Sequence, residues 1–152
     1  MSAATISIAQ TQEQLNRCFA IRLAVFVGEQ HVPLQEEVDA LDTASGTIHL
    51  LASCDGRDLG TLRILPEGPG HCHIGRVAVS GAARGSGVGR QLMARAAEIG
   101  RERCCDSDGH VKIMLSSQEQ AMGFYEACGY AVVSGERYLD AGIWHQDMVL
   151  DL

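Results

Sequence analysis

Alternating and helical patterns of apolar residues divide the first third of the chain into a strand, a helix and a long connection. Residues 5–9 alternate between polar and apolar side chains, which is typical of a half-buried strand. Thr11 and Gln14 then have the spacing of a capping box, and the helix behind it is predicted to end near Gly28. Residues 29–46 contain one proline, five acidic residues and few periodic apolar positions, so they predict a connection with at most a short helix. Long ordered connections are often functional.

The middle of the chain predicts three consecutive strands. Residues 47–54 and 58–65 flank Asp55-Gly56, which is a strong signal for a two-residue hairpin turn. A second turn, rich in proline and glycine, spans residues 66–70, and residues 71–79 form the third strand. Because both connections are short, we expect these strands to form a meander.

Two helices and three strands complete the pattern. Residues 88–101 predict a helix, because apolar side chains recur there at intervals of three and four residues. Residues 112–115 form a short apolar strand. Ser117 and Gln120 have capping-box spacing and open a further helix, which Gly129 ends in the position typical of a left-handed cap. Two closing strands are predicted at residues 130–133 and 143–150.

The composition excludes several functional classes. With 152 residues, the chain fits a single domain that spans residues 1–152 and buries an adequate core. Its apolar stretches are too short for a membrane span, and its start lacks the basic and apolar regions of a signal peptide. The net charge of −7 argues against a nucleic acid or an anionic membrane as partner and suits a cationic small molecule. We therefore expect a cytoplasmic protein.

The six cysteines predict neither a disulfide framework nor a metal site. None of them are spaced as Cys-x-x-Cys, and no cluster of histidines completes a zinc site. His71, Cys72 and His73 are adjacent, but alternate residues of a strand point to opposite faces, so these side chains cannot converge on one ion. We expect reduced thiols and no metal.

The strongest chemical signal is a glycine-rich loop, residues 84–90, which follows the strand 71–79 and opens the next helix. Gly85, Gly87 and Gly89 lack Cβ atoms and permit the positive φ angles that turn successive N–H groups toward one point. Arg84 and Arg90 add permanent charge, and the helix adds the unpaired N–H groups and the positive dipole end of its first turn. The loop therefore predicts binding of a phosphate-bearing ligand such as a pyrophosphate.

The spacing within this loop separates the phosphate-binding families. A Walker loop has Lys and then Ser or Thr after its last glycine, whereas Gly89 is followed by Arg90 and Gln91. A dinucleotide fingerprint has a different spacing to its third glycine. The remaining pattern, Arg84-x-x-Gly87-x-Gly89 after a strand, resembles the acetyl-CoA pyrophosphate loop of the GNAT superfamily of N-acetyltransferases.

Further segments extend this resemblance over nearly the whole chain. Residues 117–130, with the pair Phe124-Tyr125, look like the second characteristic segment of the family. Four segments resemble the ElaA-like branch of the superfamily: residues 22–33, 39–42, 49–50 and 138–148. The resemblance implies a GNAT-like α/β fold of the α+β type, with a mixed central sheet of about seven strands and about four helices.

The resemblance also implies a reaction and a coenzyme site. The reaction is transfer of an acetyl group from acetyl-CoA to a primary amine of a small molecule or peptide, by direct attack and without a metal. The pantetheine arm would lie along the backbone of the strand, where an N–H near Val77 polarises the thioester, and the pyrophosphate would lie on the glycine-rich loop. The implied coenzyme-binding residues are Val77, Ala78, Val79, Arg84, Gly85, Ser86, Gly87, Val88, Gly89, Arg90 and Phe124.

The same resemblance implies catalytic residues. Tyr125 is the candidate general acid, because the family often places a tyrosine on this helix within reach of the coenzyme sulfur. The alternative is an aromatic side chain that packs the helix on the sheet. The general base stays open among six side chains: His49, His73, His145, Glu29, Asp39 and Asp42.

Two further questions stay open at this point. The acidic residues at 36, 37, 39 and 42 form either a solvated loop or the rim of an acceptor pocket that selects a cationic amine. An exposed final strand at residues 143–150 would allow a homodimer by pairing with a second copy.

Two other functions remain as alternatives to the enzyme. One is a non-catalytic acyl-CoA binder or sensor on the same fold. The other is a nucleotide-binding regulatory domain that uses its glycine-rich loop for phosphate.

Overall fold

Seven strands form one mixed sheet in the computed structural model, which describes residues 4–152. The strands are β1 (Thr5–Ile8), β2 (Ile48–Cys54), β3 (Arg57–Pro66), β4 (His71–Val79), β5 (Lys112–Gln118), β6 (Ala131–Asp140) and β7 (Ile143–Asp151). Their spatial order is β1-β2-β3-β4-β5-β7-β6. The neighbours β4 and β5 are parallel, and the other described neighbours are antiparallel. The predicted order of elements and the mixed sheet are confirmed.

Four α-helices are present among the described residues, as predicted: α1 (Gln12–Arg22), α2 (Leu34–Glu37), α3 (Val88–Arg103) and α4 (Met122–Ala127). The capping box at the start of α1 is confirmed, because the Gln14 N–H donates to Thr11 Oγ1 and the Thr11 N–H donates to Gln14 Oε1, each at 3.2 Å. The helix continues beyond Arg22 as a π-helical segment, Leu23–Glu29. Its end lies close to the predicted one, but the change to π-helical geometry was not predicted.

The predicted capping box at Ser117 and Gln120 is wrong. The strand β5 continues through Gln118, which pairs with His145 of β7, so this backbone is bonded in the sheet. The Ser117 hydroxyl donates to the Gln118 carbonyl at 2.8 Å instead. The other end of α4 matches the prediction: Gly129 has φ 98°, and the Tyr130 N–H donates to the Tyr125 carbonyl in a Schellman arrangement.

The edge of the sheet is also different from the prediction. The final strand β7 lies between β5 and β6, and β6 is the edge strand. The predicted strand 130–133 extends to Asp140, with a shift of register between Val132 and Arg137. Almost all of β6 is exposed, so no alternation of apolar residues marks its second half. A pairing of residues 143–150 with a second copy is therefore excluded, since β7 is already paired on both sides.

The sheet is covered on both faces. On one face, α3 packs Leu92, Ala96 and Ile99 against residues of β3 and β5 such as Leu62 and Ile113, all fully buried. On the other face, α1 and the π-helical segment pack around a smaller cluster: Cys18, Ile21, Val25, Leu51 and Ala78.

No helix within residues 4–152 has the length and apolar character needed to cross a membrane.

Candidate active site

The parallel strands β4 and β5 diverge in the middle of the sheet. Residues 71–74 of β4 pair with residues 112–115 of β5. Beyond this point β4 continues beside β3 up to Val79, while β5 continues beside β7 up to Gln118. A cleft therefore opens between residues 75–79 and residues 116–118, and it exposes backbone groups of β4 that a neighbouring strand would otherwise bind.

A β-bulge marks the place where β4 turns away. Thr61 pairs with Ala78 and Arg63 pairs with Gly75, so Arg76 and Val77 face a single residue of β3. Arg76 has φ 51°, in the left-handed region that costs a non-glycine residue roughly 1–2 kcal/mol. Its guanidinium fixes this geometry, because Nε and Nη2 donate to the carbonyls of Glu37 and Glu36, each at 3.2 Å. No local pattern predicts this bulge, since a glycine does not occupy the strained position.

The open edge of β4 carries a usable acceptor at Val79. The Ser80 N–H donates to the Leu59 carbonyl at 2.8 Å, which makes Ser80 a hydrogen-bonded partner of β3. In an antiparallel pair such residues alternate, so the N–H and C=O of Val79 point away from β3 and into the cleft. The Val79 carbonyl accepts from Arg84 Nε at 3.2 Å, which agrees with this orientation.

The glycine-rich loop lies at the end of this edge. Gly85 and Gly87 have φ of 82° and 90°, so the predicted left-handed geometry is present at both. The first bond of α3 runs from the Gln91 N–H to the Gly87 carbonyl at 3.1 Å. The N–H groups of residues 88–90 precede this bond, so α3 offers them no acceptor. They form a concentration of donors at the positive end of the helix.

Gly89 has a different role from the predicted one. It lies inside the first turn of α3 with ordinary helical geometry, so a positive φ is not its function. A Cβ atom at this position would lie 3.0 Å from Cζ of Phe124 and 3.6 Å from Cγ2 of Val79. The absence of a side chain therefore allows α4 to pack closely on the start of α3, beside the end of β4.

A cavity of about 920 Å³ fills the cleft. It extends from the glycine-rich loop, past the bulge of β4, to the ends of β5 and β7. The predicted site residues that it brings together are Val77, Ala78, Val79, Arg84, Tyr125, His73, His145 and Glu29. Gln30 and Gln118 also line it, and their side-chain amides bond each other across the cleft, with Gln118 Nε2 donating to Gln30 Oε1 at 2.7 Å.

Tyr125 projects from α4 into the wall of the cavity. Its side chain is buried, and its ring lies against Phe124 and Tyr130 at centroid distances of 5.1 and 6.1 Å. Burial raises the pKa of the Tyr125 phenol, so the hydroxyl keeps its proton at neutral pH. The side chain packs α4 against its neighbours and also lines the cavity, so the structure is compatible with both predicted roles, and the role of general acid stays a prediction.

His145 lies on β7, at the far wall. It is buried, and its Nδ1 lies 2.7 Å from the Ile143 carbonyl. A carbonyl can only accept, so Nδ1 carries the proton and Nε2 of the neutral ring keeps its lone pair. The ring stacks on Tyr138 at 5.9 Å, and the Tyr138 hydroxyl donates to Asp147 at 2.5 Å. This support by Tyr138 was not predicted, because the strand predicted at residues 130–133 stops before Tyr138, which pairs with His145 in the structure.

The other two predicted histidines have different surroundings. His73 lies at the rim of the cavity with a half-exposed ring, and its Nδ1 contacts Glu67. His49 lies outside the cavity, where Nε2 is 2.9 Å from the Asp42 carbonyl and the ring meets the edge of Phe19. Burial lowers the pKa of His49, so the ring is neutral at pH 7. His49 therefore does not reach the cavity that His73 and His145 line.

The acidic connection is fixed to the sheet by buried ion pairs. Arg22 of α1 binds Glu37 with Nε at 2.7 Å and Asp42 with Nη1 at 2.6 Å, and Arg63 of β3 binds Asp42 at 2.9 Å. Burial pushes the pKa of Asp42 up, but hydrogen bonds from Arg22, the Asp39 N–H and Arg63 bring it down to about 2. Asp39 also binds Arg63, which lowers the pKa of its carboxyl.

These ion pairs show which of the acidic residues can belong to a solvated loop. A solvated loop is wrong for Glu37 and Asp42, which are 2% and 3% exposed, and it fits only Glu36. Asp42 lies buried between two arginines, which leaves it no free lone pair toward a substrate. The sequence gives no sign of these partners, because Arg22 and Arg63 are 15 or more residues away from Glu37 and Asp42.

The cysteines and histidines form no metal-binding cluster of three or more ligands within the described residues. In β4, His71 is exposed and Cys72 is buried, which confirms the predicted alternation of faces. No disulfide joins any of the six cysteines, which all lie within the described residues.

Comparison with known proteins gives a consistent family. Residues 7–152 match the acetyltransferase (GNAT) domain. The uncharacterized N-acetyltransferase YjcF of Bacillus subtilis is 35% identical over 144 residues, which cover 95% of this chain and 97% of YjcF. Among solved structures, an acyl-CoA N-acyltransferase from Pseudomonas aeruginosa is 36% identical with a TM-score of 0.83, and covers 97% of this chain and 99% of its own. Escherichia coli ElaA is 30% identical, with the same TM-score and coverage.

These similarities confirm three predictions: the GNAT-like fold, the resemblance to the ElaA-like branch and the class of enzyme. The match extends over nearly the whole described chain, including the diverging strands and the glycine-rich loop. The chain therefore belongs to the GNAT family of N-acetyltransferases.

Proposed function

We propose that this enzyme transfers the acetyl group of acetyl-CoA to a primary amine by direct attack of the amine on the thioester. The observation that carries the proposal is the divergence of β4 from β5, with the Val79 carbonyl pointing into the cleft on one side and the glycine-rich loop at its end. An extended ligand with amide groups and a pyrophosphate matches both features.

The chain has suitable groups for each part of the coenzyme. The N–H groups of residues 88–90 and the positive φ of Gly85 and Gly87 suit a pyrophosphate, with Arg84 and Arg90 as cations beside it. The backbone of residues 77–79 suits the amides of the pantetheine arm. This placement directs the thioester toward the cavity wall formed by Tyr125 and His145.

Two side chains are assigned to the proton transfers. The acceptor must lose a proton as its nitrogen bonds the acetyl carbon, and Nε2 of His145 has the lone pair to receive it. The carbon–sulfur bond then breaks, and the Tyr125 hydroxyl supplies a proton to the departing thiolate. His73, at the rim with Glu67, is a second base candidate. We place His49 outside the mechanism.

The nature of the acceptor follows from charge. The whole chain carries −7, and Glu29 and Glu36 add carboxylates to the wall of the cavity. These charges favour a small cationic amine over a nucleic acid.

The test is release of free CoA from acetyl-CoA in the presence of a panel of polyamines, amino acids, aminoglycosides and peptides. We expect release with at least one cationic amine, with matching acetylation of that amine by mass spectrometry. Binding of CoA without any transfer would instead support a non-catalytic acyl-CoA binder. Binding of ATP or NAD in preference to CoA would support a nucleotide-binding domain.

A further inference from the structure

Two charged side chains from distant parts of the chain meet beside the glycine-rich loop. Glu29 is the last residue of the π-helical segment, and Arg84 is the first residue of the loop. Arg84 Nη2 lies 2.6 Å from Glu29 Oε1, and the two side chains are 50% and 44% exposed. Both residues line the cavity, so this ion pair lies between the coenzyme loop and the wall that faces the acceptor.

The same guanidinium also occupies the open edge of β4. Arg84 Nε donates to the Val79 carbonyl at 3.2 Å, and this carbonyl points into the cleft. Arg84 therefore binds the Val79 carbonyl, which is part of the backbone proposed to bind the pantetheine arm. Arg84 is also one of the cations proposed to bind the pyrophosphate. A bound coenzyme would compete for both contacts of Arg84.

We infer that binding of acetyl-CoA exchanges the partner of Arg84 from Glu29 to the pyrophosphate, and that the released Glu29 carboxylate then binds the ammonium group of the acceptor. This inference rests on the proposed function. A pyrophosphate carries more charge than one carboxylate and receives the neighbouring N–H groups as well, so it is the stronger partner for the guanidinium. Glu29 then becomes a carboxylate without a cation on the cavity wall.

Glu29 consequently affects the two substrates in opposite directions. It competes with the pyrophosphate for Arg84, so it weakens coenzyme binding. It attracts the ammonium, so it strengthens acceptor binding, and only after the coenzyme has bound. The next residue, Gln30, is held to Gln118 by paired amide bonds of 2.7 and 3.3 Å, so a substitution of the Glu29 carboxylate leaves this anchor of the segment in place.

Isothermal titration of CoA into the full-length protein tests the first half of this inference. Glu29→Gln should lower the dissociation constant for CoA about two- to fivefold, the range expected when an exposed competing ion pair is removed. Glu36→Gln is the matched control, because it removes a carboxylate from the same cavity wall that is not paired with Arg84. In an Arg84→Gln background, Glu29→Gln should have no effect on CoA binding.

The second half is tested with the amine that the panel identifies. Glu29→Gln should raise the KM for a cationic amine severalfold while the dissociation constant for CoA falls. A Glu29→Gln protein that binds CoA no better than wild type, or a Glu36→Gln protein that binds it equally well as Glu29→Gln, overturns the exchange of partners. An unchanged amine KM overturns the role of Glu29 toward the acceptor. A wild-type protein that does not bind CoA refutes the proposed function instead.

Discussion

Replacement of Asp42 by Asn tests whether the buried ion pairs hold the acidic connection to the sheet. The carboxylate lies between Arg22 and Arg63, which are 1% and 5% exposed. Three hydrogen bonds from these guanidinium groups reach it, at 2.6, 2.9 and 3.1 Å. An amide at this position keeps the shape of the side chain but removes the negative charge that the two buried cations share, which leaves Arg22 with Glu37 and Arg63 with Asp39.

The magnitude follows from the pKa of Asp42, which is lowered from 3.8 to about 2. Each pKa unit corresponds to about 1.4 kcal/mol, so this lowering represents roughly 2–3 kcal/mol of stability. Removal of one partner of a buried pair costs about 3–5 kcal/mol in other proteins. We expect Asp42→Asn to reduce the free energy of unfolding by about 3 kcal/mol at pH 7, which is a large part of the stability of a domain this size.

The effect should depend on pH. Because the folded-state pKa lies below the unfolded one, the stability from this ionisation is fully present above about pH 4 and is lost as the pH falls toward about 2. Urea unfolding followed by circular dichroism at pH 7 and pH 3 measures this, with the exposed Asp108→Asn as control. A loss under 1 kcal/mol at pH 7, or an equal loss at both pH values, would refute the reasoning.

Three further predictions address the loop and the proton transfers. Gly87→Ala should destabilise the protein by about 1–2 kcal/mol and weaken CoA binding, because φ is 90° at this position. The control Gly123→Ala lies in open space on α4, and it should be neutral or stabilise the protein by up to about 1 kcal/mol. Equal melting temperatures for the two variants would contradict this. Tyr125→Phe should reduce kcat at least tenfold with little change in CoA affinity by calorimetry, and an unchanged kcat would remove the hydroxyl from the mechanism. His145→Gln should reduce kcat/KM for the amine about 100-fold or more in steady-state assays, and a loss confined to CoA binding would contradict its assignment as base.

Local signals in the sequence were sufficient for most of the secondary structure. Asp55-Gly56 forms the predicted hairpin turn, with φ of 51° and 77°, because these residue types tolerate the left-handed region without help from the rest of the fold. Gly85 and Gly87 adopt the predicted geometry for the same reason. Gly129 ends α4 as predicted.

The sequence predictions were wrong where a residue distant in the chain forms the backbone hydrogen bonds or neutralises the charge. Ser117 looked like the start of a helix, but pairing of β5 with β7 keeps it in a strand. The last strand looked like an edge, but β6 folds back outside it. The acidic residues Glu37 and Asp42 were predicted to lie either in a solvated loop or on the rim of an acceptor pocket, but they are buried and arginines from three different elements neutralise them.

The order of the elements, the meander and the glycine-rich loop could be predicted from the sequence, because they depend on residue types and spacings within one or two turns of chain. The separation of β4 from β5, and the meeting of side chains in the cleft, depend on the tertiary structure. Arg76 adopts its strained geometry through contacts with residues 36–39, and Tyr125 and His145 reach one cavity from different elements. These contacts join residues far apart in the chain, so their free energy depends on the packing of the whole sheet and leaves no local pattern to read.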